Sequence, residues 1–178
     1  MKHLKIYESK SNPEITYWDN GQKRYEIWYL NSKSHKEDGP AYQEWYENGQ
    51  KEDESWYLNG KYHREDGPAS QEWYKDGQKK YEIWYLNGKS HKEDGPAYQY
   101  WYENGQKEYE IWFLNDNYHR EDGPAYQRWH ENGQKNYETY DLNNKEYSKE
   151  EWIEELKRIG SKHYEEQQMI YDTEKYNL

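Results

Sequence analysis

The sequence predicts an all-β repeat fold: an elongated, single-layer antiparallel β-meander of about ten short strands, closed by a C-terminal α-helical cap. Three observations predict it. "NGQK" stands at Asn20, Asn48, Asn104 and Asn132, with "DGQK" at Asp76, always 28 residues apart. Each 28-residue unit holds two short aromatic-rich runs bounded by turn residues. After Leu142 the pattern decays into a sequence with helical spacing.

The chain divides into an N-terminal edge segment (1–12), the repeats (13–144) and the cap (145–178). The opening "MKHLKIYE" is expected to add an edge strand. Within a unit, "AYQEWYE" (Ala41 to Glu47) and runs such as "YEIWYL" (Tyr25 to Leu30, Tyr81 to Leu86) read as strands, because β-branched and aromatic residues fit a pleated surface. Asn-Gly between them predicts a two-residue type I′ hairpin, which needs positive φ at both central residues. The other connection, such as "NGKYHREDGP" from Asn59, reads as a longer loop. With strands about 4.8 Å apart, each unit advances the sheet by roughly 9.6 Å and the ribbon reaches about 45–50 Å.

A two-residue turn sets Glu47 opposite Gln50, and parity then assigns the faces. Ala41, Gln43 and Trp45 fall with Glu54, Trp56 and Leu58, giving Trp ladders with Leu and Glu rows. Tyr42, Glu44 and Tyr46 fall on the other face with Asp53, Ser55 and Tyr57. Repetition makes this second face a Tyr/Ile surface through Tyr25, Ile27, Tyr29, Tyr81, Ile83 and Tyr85. A three-residue bulged turn would shift one strand's parity and mix the two sets. In the cap, Ser148 with Glu151 forms a capping box, Trp152, Ile153, Leu156 and Ile159 form one apolar stripe, and Gly160 suits the C-cap. "SKHYEEQQMIYDTEKY" predicts a second helix. A cap is what an open sheet edge requires.

Composition narrows the function. The 178 residues carry 36 acidic and 25 basic side chains, a formal net charge of −11. This argues against direct binding of nucleic acid or anionic membranes and favours a partner with a basic surface. The mean hydropathy of −1.78 alone suggests disorder. Yet 19% of residues are aromatic, with 23 Tyr and 10 Trp, and such residues bury a ring while keeping a polar end wet. There is no Cys, hence no disulfide framework, and no apolar leader or membrane span, so a cytoplasmic location is expected.

"HREDGPAYQ" (His119 to Gln127) has near-copies at His35, His63 and His91. Taken singly it suggests a metal or acid–base site. A metal needs converging ligands at about 2.0–2.2 Å, and repeat spacing holds successive histidines roughly 9.6 Å apart. The string therefore reads as a strand corner: Asp accepting backbone N–H groups, Gly supplying an unusual φ, Pro starting the next strand. No catalytic, metal-binding or cofactor-binding residue is assigned, and no P-loop, nucleophile elbow or dinucleotide fingerprint occurs.

The second unit breaks the pattern three times: Asp53 where the other units have Tyr, Ser55 where three others have Ile, and Ser70 where the other internal copies have Tyr. Parity gathers these on the Tyr face as a polar, acidic notch beside Glu44 and Glu72. The expected partner-binding residues are Tyr42, Glu44, Tyr46, Asp53, Ser55 and Tyr57, followed along the ribbon by Ser70, Glu72, Tyr74, Tyr85, Tyr98 and Tyr102.

"YENGQKEYEIWFLNDNYHREDGPAYQ" (Tyr102 to Gln127) resembles the bacterial variant of MORN repeats, built on a "Y-x-N-G-x" core. The resemblance covers about residues 13–144. It implies an elongated antiparallel sheet acting as an interaction surface, with no catalytic residue, and such repeats recur in proteins described as antitoxin components. The period departs from the family's, being longer than the usual MORN unit, with the additional residues in the His-containing loop. The expected function is non-catalytic binding of a protein partner, a toxin or a nucleic-acid enzyme, as an antitoxin or immunity protein. Two alternatives are an anti-CRISPR-like phage inhibitor filling a basic nucleic-acid groove, and carbohydrate or choline binding by Trp/Tyr stacking. Open sheet edges and the C-terminal helices also permit a homodimer.

Overall fold

The computed structural model describes residues 12–176. An open eleven-stranded antiparallel sheet follows chain order throughout, from Glu14–Tyr17 to Lys145–Tyr147, and two helices, α1 (Lys149–Ile159) and α2 (Tyr164–Tyr176), follow it. The expected β-meander with a helical cap is thus the observed fold. The edge strand expected of "MKHLKIYE" lies outside the described residues.

The turn chemistry differs from expectation, with a compensating twist. At Asn48-Gly49 only Gly49 has positive φ (84°). Tyr46 N–H donates to the Gln50 carbonyl at 2.9 Å, and Gly49 N–H donates to the Tyr46 carbonyl at 2.8 Å. This is a three-residue turn closed by a Gly bulge, not a type I′ turn. Alone it would invert the faces of the following strand. A second bulge restores them: Trp45 pairs with Lys51, but Glu44 pairs with Asp53, leaving Glu52 unmatched. Beyond Glu52 the register is the one that Glu47 opposite Gln50 would set. All five units carry this double bulge.

The type I′ turns occur at the other Asn-Gly. Asn59 and Gly60 have φ of 54° and 80°, joining Tyr57–Leu58 to Lys61–Tyr62. The expected ten-residue loop therefore contains a small satellite hairpin, and there are four such hairpins beside the main sheet. Trp28 marks the bend between the two. Its N–H donates to Ala41 O in the main sheet, and its carbonyl accepts from His35 N in the hairpin.

Neighbouring units are joined side chain by side chain. Tyr46, Tyr74 and Tyr102 donate their hydroxyls to the carbonyls of Trp73, Trp101 and Trp129, each 27 residues on, at 2.8–3.0 Å. Nδ1 of His35, His63 and His119 accepts the N–H of Asn59, Asn87 and Asn143, each 24 residues on, at 3.0–3.3 Å. These Asn residues open the type I′ turns, whose N–H groups the sheet leaves unpaired. The histidine that begins each corner thus caps the next unit's hairpin. His91 is the exception: its Nδ1 is buried without a partner, while Asp116 binds the Ser90 N–H instead, at 2.7 Å.

The opposite face is a ladder of charge and π-systems. Glu26, Gln43, Glu54, Gln71, Glu82, Gln99, Glu110, Gln127 and Glu138 form one continuous cross-strand row. Lys51 and Trp56 Nε1 both donate to Glu54. Burial alone would raise Glu54, but these bonds outweigh it and hold the carboxyl below its ordinary value. No Trp stacks on another among the described residues, so the expected Trp ladder is in fact a ladder of Trp and cations. Lys36, Arg64, Lys92 and Arg120 lie 3.8–4.6 Å from the ring centres of Trp28, Trp56, Trp84 and Trp112. Such contacts contribute about 0.5–2 kcal/mol each.

This revises the corner motif. Asp66 and Asp122 accept from the guanidinium groups of Arg64 and Arg120 at 3.0 and 2.7 Å, in place of the expected backbone N–H groups. A Cβ on Gly67 would lie 2.7 Å from Arg64, and Gly67 has no positive φ. The expected unusual backbone angle is adopted at two of the four corners, Gly95 (φ 140°) and Gly123 (φ 159°), and at Gly67 the guanidinium crowds the position instead.

The repeat ends because its partners change. Tyr147 occupies the histidine position of the corner and Ser148 the cation position, where Ser148 instead caps α1 in the expected box with Glu151. Trp152, Ile153 and Leu156 bury against Tyr140 and Leu142, and Trp152 Nε1 donates to the Arg120 carbonyl at 3.2 Å. Ile159, expected on the same stripe, is 44% exposed, since Gly160 ends the helix before that turn packs.

Replacing His63 by Ala should lower the unfolding free energy by about 1–2 kcal/mol, the cost of an orphaned N–H plus lost packing. His91→Ala should cost clearly less, because no bond is broken, and EDTA should move neither melting curve. Denaturant titration of both variants checks the difference.

Candidate functional site

The face opposite the Glu/Gln ladder is aromatic, and two cross-strand rows define it. One runs Tyr25, Glu44, Asp53, Glu72, Tyr81, Tyr100, Tyr109. The other runs Ile27, Tyr42, Ser55, Ser70, Ile83, Tyr98, Ile111. Toward the cap the first row is phenol against phenol: Tyr81 is tilted on Tyr100 at 5.1 Å, and Tyr100 stacks on Tyr109 at 4.3 Å between ring centres. Toward the N-terminus it is three adjacent carboxylates, Glu44, Asp53 and Glu72.

The breaks in the second unit therefore meet in space. Ser55 pairs directly with Ser70, and Asp53 lies between Glu44 and Glu72. The two serines are 3% exposed, so they form the floor of the notch and not a contact surface as expected. Replacing Ile and Tyr by Ser removes the bulk that fills this row elsewhere. Asp53 sinks into the space, accepting from Ser55 Oγ at 2.9 Å and from Tyr81 Oη at 3.4 Å. Tyr42 donates to Glu44 at 2.6 Å.

Two charged residues absent from the expected site belong to it. Lys80 donates to Glu72 at 2.6 Å. Glu52 is held above its ordinary value by burial first and then by Glu44 and Glu72. Both occupy the position of the second bulge, so simple strand parity could not place them. Asp53 is pushed up to about 6: burial is the main cause, the Ser55 hydrogen bond opposes it, and the charges of Glu72 and Glu44 add to it. Four carboxylates thus face Lys80, which is bonded to Glu72, and Arg24, which with Lys80 opposes the rise at Glu52.

The remaining expected residues serve the scaffold as well as the face. Tyr46, Tyr74 and Tyr102 spend their hydroxyls on the next unit's turn. Tyr57 and Tyr85 lie on satellite hairpins: Tyr57 packs on Tyr62 at 4.3 Å, and Tyr85 meets the Tyr98 hydroxyl at 2.8 Å. The hairpins thereby fold over the aromatic face and make one line of rings, Tyr57, Tyr62, Tyr85, Tyr98, Phe113, Tyr118. Tyr62 and Tyr118 lie in the segment read from sequence as a loop, so the ring line was not foreseen.

Among the described residues no group of three or more His, Asp or Glu side chains is arranged to hold a metal ion, and no helix is long and apolar enough to cross a membrane. No protein-family model matches the chain, and no curated protein matches it significantly.

Because the folded Asp53 value lies above the ordinary 3.8, its protonated form favours folding. That contribution is complete below 3.8 and is lost as pH rises through about 6. Asp53→Asn, which keeps an acceptor for Ser55, should raise stability at neutral pH by about 1–3 kcal/mol. The gain should shrink to nothing as pH falls toward 3.8. Thermal melts of both proteins across this range check the sign.

Proposed function

We propose that this chain is a non-catalytic repeat protein that binds a protein partner through its aromatic face, with the acidic notch at Asp53 receiving a lysine or arginine of that partner. One observation carries the reading. The three departures of the second unit, Asp53, Ser55 and Ser70, lie side by side on neighbouring strands, and they bury a carboxylate among carboxylates. Such a site costs stability at neutral pH, and a cation from outside would relieve that cost. Flanking tyrosines supply rigid amphipathic contact area around it.

The resemblance to MORN-type repeats of antitoxin components supports neutralisation of a toxin, as an antitoxin or immunity protein acting in the cytoplasm. A second observation favours a nucleic-acid enzyme as the target. Glu37, Glu65 and Glu93 are 80–82% exposed, one per unit, along the corner edge. A regular acidic edge of this kind matches a basic groove made for phosphates, the role of an anti-defence inhibitor.

Pull-down from the native host with wild-type chain and Asp53→Lys tests the proposal. The partner captured by wild type should bind the variant roughly tenfold or more weakly, and equal capture overturns the notch as the contact. A nucleic-acid enzyme as partner requires steep loss of binding with salt and displacement by DNA or RNA.

A further inference from the structure

A second break in the repeat lies at the other end of the aromatic face. In the first four units Tyr29, Tyr57, Tyr85 and Phe113 occupy one position, and the last three of these belong to the ring line that ends at Tyr118. In the fifth unit the position holds Asp141. Thr139 likewise replaces the Ile of units one, three and four. The hairpin of the last unit is not a separate satellite, because its strand runs unbroken from Lys135 to Leu142 and pairs directly with Lys145–Tyr147. Removing a ring, shortening Ile to Thr and ending the repeat leaves a recess of about 500 Å³, a volume in the usual range for ligand sites.

Its chemistry is specific. Tyr118, Tyr126 and Tyr137 form the walls, the last two edge to face at 5.7 Å. Asp141, 8% exposed, lies at the base, where Thr139 Oγ1 donates to one carboxylate oxygen at 2.7 Å. Asp141 has no ion pair among the described residues, although a carboxylate so placed is costly unless a cation or donors reach it. Glu146 pairs across the strand from Asp141 and adds a second negative charge at the rim. The one cation of the lining, Arg128, forms its ion pair with Glu108 at 3.8 Å and none with Asp141.

We infer that this recess binds a hydrogen-bonding organic cation, a guanidinium or primary ammonium group, which stacks in the place of the missing ring and donates to Asp141. Tyrosine faces attract cations, and a planar guanidinium matches both a carboxylate and a ring. A quaternary ammonium group would leave the free Asp141 oxygen without a donor. The site is separate from the Asp53 notch and does not rest on it.

The test is a titration, followed by NMR shifts of tyrosine ring protons, with N-acetyl-arginine amide, agmatine, tetramethylammonium and the neutral isostere N-acetyl-citrulline amide. Saturable shifts with the two guanidinium compounds are expected, with the citrulline and tetramethylammonium probes weaker by roughly tenfold or more. Tighter binding of the arginine amide than of agmatine assigns the recess to a partner's side chain, and the reverse order assigns it to a free guanidine. Asp141→Asn should abolish binding. Tyr137→Ala, at a 53% exposed ring, should weaken it without unfolding the chain, and Asp53→Lys should leave it unchanged. Absence of saturation with either guanidinium compound, equal binding of citrulline, or indifference to both Asp141→Asn and Tyr137→Ala overturns the inference.

Discussion

A sheet one layer thick has no core to correct errors, so every unit must present the same rows to the next. The paired bulges meet that constraint. The Gly49 turn would send each following strand face down, and the unmatched residue at Glu52 turns it back. Because both recur in every unit, the Glu/Gln row keeps one face across the nine strands from Glu26 to Glu138, and the aromatic rows keep the other. The cation–Trp contacts, histidine caps and tyrosine–carbonyl bonds all presuppose this alignment.

The composition follows from the same constraint. Most residues of a single layer are partly exposed, so a largely apolar composition would make it insoluble and a purely polar one would leave nothing to pack. Trp, Tyr, Lys, Arg and Glu each combine a packing surface with a group that water or a neighbour can satisfy. Many of these groups are already committed: the Tyr hydroxyls reach the next unit 27 residues along, and Lys, Arg, Trp and Glu pair two to eight residues apart within a unit. Function is therefore to be sought where the repeat is broken, and the breaks are Asp53, Ser55 and Ser70 in the second unit and Thr139 and Asp141 in the fifth. In both places a large side chain gives way to a smaller one, and a buried carboxylate remains.

Much of this was legible in the sequence. The period, the strands, the cap with its Ser148–Glu151 box, and the adjacency of Asp53, Ser55 and Ser70 follow from spacing and parity. What was not legible shares a cause: identical local sequence in different surroundings. Asn48-Gly49 and Asn59-Gly60 are the same dipeptide, yet only the second forms a type I′ turn. Strands of two residues, such as Tyr57–Leu58, are too short to show a period, so the satellite hairpins and the ring line were hidden. Spacing could argue that four histidines do not share a metal, but not that each reaches the hairpin of the following unit. The bulge at Glu52 concealed Lys80 from the site. The Asp141 recess was visible in principle as an acid where four rings stood, but it falls where the repeat fades.

Restoring the repeat tests the central claim that the scaffold and the function reside in different residues. The triple variant Asp53→Tyr, Ser55→Ile, Ser70→Tyr gives unit two the rows of its neighbours. Its melting temperature and its capture of the native partner should be measured together. The account predicts a melting temperature at or above that of the wild type, with partner capture lost. A variant that melts lower, or that captures the partner as well as the wild type does, would contradict it.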